Sequence, residues 1–145
     1  FDLFCGTGSI SIYMASNLKR VYGFEIIESA IHDAYQNMKR NGITNCEFFQ
    51  VNLDKDFKYI LNSKKLPHPN VLFLDPPRAG IHPKLIKYLI NFNVKKIIYI
   101  SCNPTTQARD LKIFIDSGYK LKELAMVDMF PHTPHIETVV SITKK

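Results

Sequence analysis

The sequence predicts an α/β domain, a largely parallel, doubly wound sheet closed by a C-terminal hairpin. Short apolar runs rich in β-branched and aromatic residues alternate with segments of helical spacing. Gly, Pro and Asn punctuate the joins. At the end two strand-like runs follow one another with no helix between them.

Phe1 to Cys5 reads as the end of a buried strand, running through Gly6-Thr7-Gly8-Ser9 into a helix from Ile10 to Leu18. Strand, glycine turn and helix bring backbone N–H groups up to a ligand. Val21 to Glu25 is a second strand, ending in a carboxylate 17 positions after Gly8. An acid there suits bidentate bonding to ribose hydroxyls. The Lys-Ser/Thr of a P-loop and the third glycine of a dinucleotide fingerprint are absent, which disfavours phosphate binding. Ile27, Ala30, Ile31, Ala34, Tyr35 and Met38 keep helical spacing as core positions, and Asn41-Gly42 stops that helix. Cys46 to Val51 is a third strand. Asn52 at its tip is placed for a ligand, whereas Asp54 and Asp56 read as the start of a short helix.

After a loop from Lys64 to Asn70, Val71 to Leu74 is a fourth strand. It is closed by Asp75-Pro76-Pro77-Arg78-Ala79-Gly80, in which two prolines impose a rigid extended segment. Pro83 to Asn91 is a helix and Val94 to Ser101 the fifth strand. Cys102 follows at once, then Asn103 as a cap, and Pro104 at the first position of a helix that ends near Gly118. A thiol beside a helix N-terminus is expected to ionise more easily, as a nucleophile must; a small buried hydrophobe is the other reading of this stretch. Leu121 to Val127 and Ile136 to Thr143 form the hairpin. Ligands of such sheets bind at the carboxyl ends of the strands. Glu25, Asn52, Asp75 and Cys102 all fall on that edge.

At 145 residues, 46% hydrophobic and 22% charged, the chain has the makings of one ordinary globular domain. No run is long enough to span a membrane, and no signal-peptide pattern opens the chain. Three unrelated cysteines make no disulfide framework, so a reducing, cytoplasmic setting is expected. The net charge of +6 comes largely from basic pairs at element ends, Lys144-Lys145 among them. It permits a polyanionic partner without showing one. Because the chain opens at Phe1 inside a strand, it is expected to be a piece of something longer.

Four motifs in order, Asp2-Leu3-Phe4-Cys5-Gly6-Thr7-Gly8, Asp75-Pro76-Pro77-Arg78, Ser101-Cys102-Asn103-Pro104 and Asp128-Met129-Phe130-Pro131-His132-Thr133-x-His135-x-Glu137, resemble the RNA uracil-C5 methyltransferases. These form 5-methyluridine in tRNA or rRNA with S-adenosylmethionine (SAM) as donor. The resemblance implies a Rossmann-like methyltransferase domain over residues 1–145 whose last strand is antiparallel. It implies Cys102 as nucleophile, Glu137 as base, and Asp75 near the cofactor and target base. Glu25 would bind the ribose, with Phe4, Gly6, Gly8, Ser9 and Asn52 also at cofactor positions. Glu137 opens an otherwise apolar strand, so partial burial is expected to raise its pKa; a surface acid on an edge strand is the alternative. Family members also carry an N-terminal RNA-binding domain and a central segment, so this piece alone is expected to methylate RNA poorly.

RNA is the expected partner, not DNA or a membrane, and the expected state is a monomer. Arg78 and Arg109 could contact RNA phosphate or brace loops. His132 and His135 with Cys102 lack the usual zinc framework, so no metal is expected, and the histidines are read as ordering the loop around Glu137. Two rivals remain: an amino-methyltransferase, although Arg78 stands where its base-stacking aromatic should be, and a non-catalytic RNA-binding domain, which would need neither Cys102 nor Glu137.

Overall fold

The computed structural model describes residues 1–129 and 131–144; Phe130 and Lys145, both within motifs or pairs named above, lie outside the described residues. A seven-stranded sheet has the order β3-β2-β1-β4-β5-β7-β6, numbered in chain order. The chain divides into two compact units, Phe1–Pro67 and His68–Lys145.

In the first unit, β1 (Asp2–Leu3), β2 (Val21–Glu25) and β3 (Cys46–Gln50) are mutually parallel, linked through α1 (Ser9–Ala15) and α2 (Glu28–Arg40). β1 is shorter than expected, because Phe4 adopts a φ of 65° and turns the chain out of the strand. Cys5, Ala15, Val21, Ala34, Cys46 and Phe48 form one core cluster, packed by Ile12, Ile31 and Met38 from the helices. Phe24 points the other way, stacked on Phe49 at 5.6 Å and edge-on to Phe57 of α3 (Phe57–Ser63) at 5.1 Å. Both faces are therefore covered, which is why Val21 to Phe24 are all buried. Ile27 and Tyr35, read as core positions, are instead exposed. Tyr35 lies on the rim, its ring edge-on to Phe48 at 5.3 Å and its hydroxyl donating to Phe48 O at 2.9 Å, while Ala34 is the residue of α2 that is fully buried.

In the second unit, β4 (Val71–Leu74) and β5 (Lys96–Ser101) are parallel, and β7 (Glu137–Lys144) pairs antiparallel with both β5 and β6 (Tyr119–Val127). α4 (Pro83–Asn91) starts on Pro83 with His82 Nδ1 accepting the Lys84 N–H. α5 (Pro104–Asp116) lies beside it. Ile97, Tyr99, Val140 and Ile142, on one face of the ladder, are fully buried. β5 begins two residues later than the apolar run suggested: Val94 is buried, and its carbonyl accepts the Tyr119 hydroxyl instead of a ladder donor. β6 begins two residues earlier, because Tyr119 pairs with Lys144. No helix among the described residues is long and apolar enough to cross a membrane.

Candidate active site

The first unit supplies a cradle at the carboxyl ends of β1 to β3. Gly6 and Gly8 both have positive φ, 51° and 81°. A Cβ on Gly8 would lie 2.9 Å from the Phe48 ring, so glycine is required there for conformation and for space. The turn is tied from three sides. Gly8 N–H donates to Cys5 O at 2.9 Å, the Asn37 amide to Thr7 O at 3.2 Å, and Gly6 N–H to Glu25 Oε2 at 3.1 Å. Glu25 Oε1 accepts the N–H groups of Ile26 and Ile27 at 2.7 and 3.0 Å. The carboxylate is thus held against the glycine turn, and its oxygens keep lone pairs for a ligand hydroxyl.

Beside it Ile26, Gln50, Val51, Asn52, Asp56, Tyr59 and Ile60 line a cavity of about 360 Å³. That lies within the roughly 300–1,000 Å³ typical of small-molecule sites. Asn52 Oδ1 accepts the Asp54 N–H at 3.0 Å, so this side chain both shapes the turn and faces the cavity. Asp56 does precede α3 but makes no side-chain cap, and it lines the cavity instead. Phe4 is half-buried, and Ser9 is exposed at the start of α1. Cys5 is buried and packs as expected; burial, and then the Asp2 and Glu25 carboxylates, push its thiol far above the ordinary range.

The second unit brings the three reactive candidates to one edge of its sheet. Asp75 follows β4, Cys102 follows β5, and Glu137 opens β7. Leu74 is in register with Tyr99, and Ser101 with Thr138, so Cys102 and Glu137 stand one step beyond the last β5–β7 pair. Cys102 and Glu137 are half-buried. Asp75 has open accessible area, yet its carboxyl is hemmed in by protein atoms. This desolvation, and then the Glu137 charge, raise its pKa from 3.8 to about 6.

The loop around the thiol is fixed by side chains. Ser101 Oγ accepts the Asn103 N–H at 3.0 Å and lies 3.1 Å from Asn103 O, bracketing Cys102. Asn103 Oδ1 caps α5 by accepting the N–H groups of Thr105 and Thr106, and its Nδ2 donates to Arg78 O at 3.1 Å. Arg109 settles as a brace, donating to Ala79 O at 2.9 Å. Arg78 is held by its carbonyl, while its exposed guanidinium lies 3.4 Å from His135 Nδ1. His132 is exposed, with a φ of 71°. Among the described residues no three His, Cys, Asp or Glu side chains gather to hold a metal.

Two contributors went unseen in the sequence. Buried Gln107 donates to Tyr99 O at 2.9 Å and accepts the Thr138 hydroxyl at 2.8 Å, joining β5 to β7 next to Glu137. Buried Asp110 accepts the Ile81 N–H and the Tyr99 hydroxyl, each at 2.7 Å. The signal was available: Asn103, Thr106, Gln107 and Asp110 recur at helical spacing along one side of α5.

All 145 residues match the family model described as tRNA (uracil-5-)-methyltransferase. An uncharacterised RNA methyltransferase of Clostridium tetani is 43% identical over the whole chain, and one from Caldanaerobacter subterraneus is 42% identical over 99% of it. The chain spans 31% of the length of each. The crystal structure of Pyrococcus abyssi tRNA (uracil-54, C5)-methyltransferase in complex with S-adenosyl-L-homocysteine superposes with a TM-score of 0.82 at 35% identity, covering 98% of this chain and 33% of that one. A precorrin-6y methyltransferase from Geobacter metallireducens, 15% identical with a TM-score of 0.77, shares the fold alone.

Proposed function

The chain belongs to the tRNA (uracil-5-)-methyltransferase family, and from that premise we propose that it methylates C5 of a uridine in tRNA or rRNA through a covalent bond between Cys102 and C6 of the base. What carries this reading is the meeting of a thiol and two carboxyls at one sheet edge, with Glu137 close enough to disfavour the charge on Asp75.

The methyl donor is SAM. Its adenosine fits the first unit's cavity, where Ile26, Tyr59 and Ile60 offer apolar faces and Asn52 and Asp56 polar edges. Glu25 would hold the ribose beside the Gly6–Gly8 turn, flanked by Phe4 and Ser9. Bound there, the sulfonium supplies an electrophilic methyl group. The chain's own residues do the rest. C5 of uracil is a poor nucleophile, and addition of the Cys102 thiolate to C6 makes a C–S bond while moving the C5–C6 π pair onto C5 and O4. C5 then takes the methyl group, whose bond to the sulfonium would break with its electron pair left on sulfur as a neutral thioether. Glu137 removes the C5 proton, that electron pair restores the double bond, and the C6–S bond breaks to release the thiolate. Asp75, with a pKa of about 6, is suited to orienting the pyrimidine through a hydrogen bond whose polarity depends on pH.

The test uses the full-length protein, SAM and RNA containing 5-fluorouridine, since fluorine at C5 cannot leave as a proton does. A stable protein–RNA adduct is expected in intact mass spectra, mapped to Cys102 and absent from Cys102→Ala. Methyl transfer to ordinary RNA without any adduct would point to an amino-methyltransferase; SAM binding with neither would leave a binding domain.

A further inference from the structure

Asp110 and Arg109 lie on α5, away from the three reactive groups, yet they hold the segment that carries Asp75. Asp110 is fully buried, a costly place for a carboxyl group unless every oxygen is engaged. Oδ2 accepts the backbone N–H of Ile81 and the hydroxyl of Tyr99, and Oδ1 accepts Arg109 Nε at 2.9 Å. Arg109 Nη2 reaches on to Ala79 O. One turn back along α5, Thr106 Oγ1 lies 3.1 Å from Arg78 O, and Asn103 Nδ2 donates to that same carbonyl. Three of the four residues from Arg78 to Ile81, all but Gly80, are thereby bolted to one helix. The loop cannot absorb a shift within itself. Gly80 N–H closes a turn on Pro77 O at 2.8 Å, and Pro76 and Pro77 fix φ back to Asp75. The Tyr99 end of the network sits on β5, three residues before Cys102.

We infer that Asp110 and Arg109 are positioning residues that set where the Asp75 carboxyl stands relative to Cys102, coupling the Asp-Pro-Pro-Arg loop to the nucleophile's strand. The inference rests on the reading of Asp75 and Cys102 proposed above.

Two variants of the full-length protein test it. Arg109→Met keeps the aliphatic stem of a half-exposed residue and removes the bonds to Ala79 and Asp110; because it leaves buried Asp110 Oδ1 without that partner, a lowered melting temperature is expected and activity is read on the folded fraction. Asp110→Asn keeps the shape and loses the charge. For both, the expected result is a fall of about 10- to 100-fold in kcat per folded molecule, as misplacement by an ångström or less produces. The acid limb of the kcat–pH profile should move, and SAM affinity should stay within about 2-fold, since the cavity lies in the other unit. Arg109→Lys, which can reach one carbonyl, should recover part of the loss. Unchanged kcat and pH profile in Arg109→Met, with only the melting temperature lowered, would overturn the inference and leave a purely structural clamp. If wild-type protein gives neither adduct nor methyl transfer, both this inference and the parent reading fall; an active wild type with an indifferent Arg109→Met sinks this one alone.

Discussion

At the scale of single residues, Asp75 couples function to stability. Its folded-state pKa of about 6 lies above the 3.8 of an unhindered carboxyl, so between these values the folded chain holds a proton that the unfolded chain has released. Stability contributed by this group is fully present below about pH 4 and is lost as the pH rises through 6. Replacing Asp75 with Asn removes that loss. Thermal unfolding should show Asp75→Asn melting above wild type at pH 8 and level with it at pH 4, while methyl transfer falls by at least 10-fold. Equal melting temperatures at both pH values would mean that burial and Glu137 do not disfavour the charge. The places of Asp75, Cys102 and Glu137 at strand ends were legible because each ends or opens an apolar run, while the roles proposed for them come from the family resemblance. The neighbour that perturbs Asp75 was not, since 62 residues separate it from Glu137 and only strand register brings them together.

At the scale of elements, α5 does more than cover the sheet. Its cap Asn103, its first-turn Thr106 and the Arg109–Asp110 pair grip one loop, while Gln107 grips β5 and β7. Sequence periodicity located this helix to within two residues, because Asn103-Pro104 is a strong start signal. Its polar inner stripe escaped notice because Thr, Gln and Asp on a helix ordinarily read as solvated. Gly80 measures how tight the grip is. It has a φ of 78°, and a Cβ there would stand 2.5 Å from Arg109 Nη2 and 2.6 Å from Asp110 Oδ2. Gly42, at φ 65°, has nothing within 4 Å. Gly42→Ala should therefore cost only its backbone strain, about 1 kcal/mol, and Gly80→Ala clearly more, about 2–4 kcal/mol, in denaturant unfolding. Comparable costs would show that the Arg109–Asp110 network yields easily.

At the scale of the molecule, alternation of strand and helix followed by a terminal hairpin was enough to indicate a largely parallel sheet closed by a hairpin, because parallel neighbours need crossover helices and the last two strands have none; that the last strand runs antiparallel, as β7 does against β5, was what the family resemblance implied. How the proposed RNA substrate would be gripped is less legible. The charge of +6 is dispersed as pairs where elements end, Lys19-Arg20, Lys39-Arg40, Lys64-Lys65 and Lys95-Lys96, and dispersed charge attracts phosphate without choosing a sequence. β6 is an edge strand whose Leu121, Leu124 and Met126 are 51%, 55% and 66% exposed, apolar surface of the kind that partners cover. The chain also spans about a third of the length of its relatives. Tethering further RNA contacts to a catalytic unit multiplies affinity by roughly 100-fold or more without altering the chemistry. Residues 1–145 produced alone should therefore bind SAM within about 10-fold of the full-length protein, because the cavity and the Glu25-anchored turn lie entirely in the first unit. The same chain should methylate RNA at least about 100-fold more slowly at low RNA concentration, with binding that weakens steeply as salt rises and discriminates little between RNAs. Isothermal titration with SAM and single-turnover methyl transfer would measure the two halves separately. Transfer by the isolated chain within a few-fold of the full-length rate, on the same RNA and uridine, would place target selection inside these 145 residues.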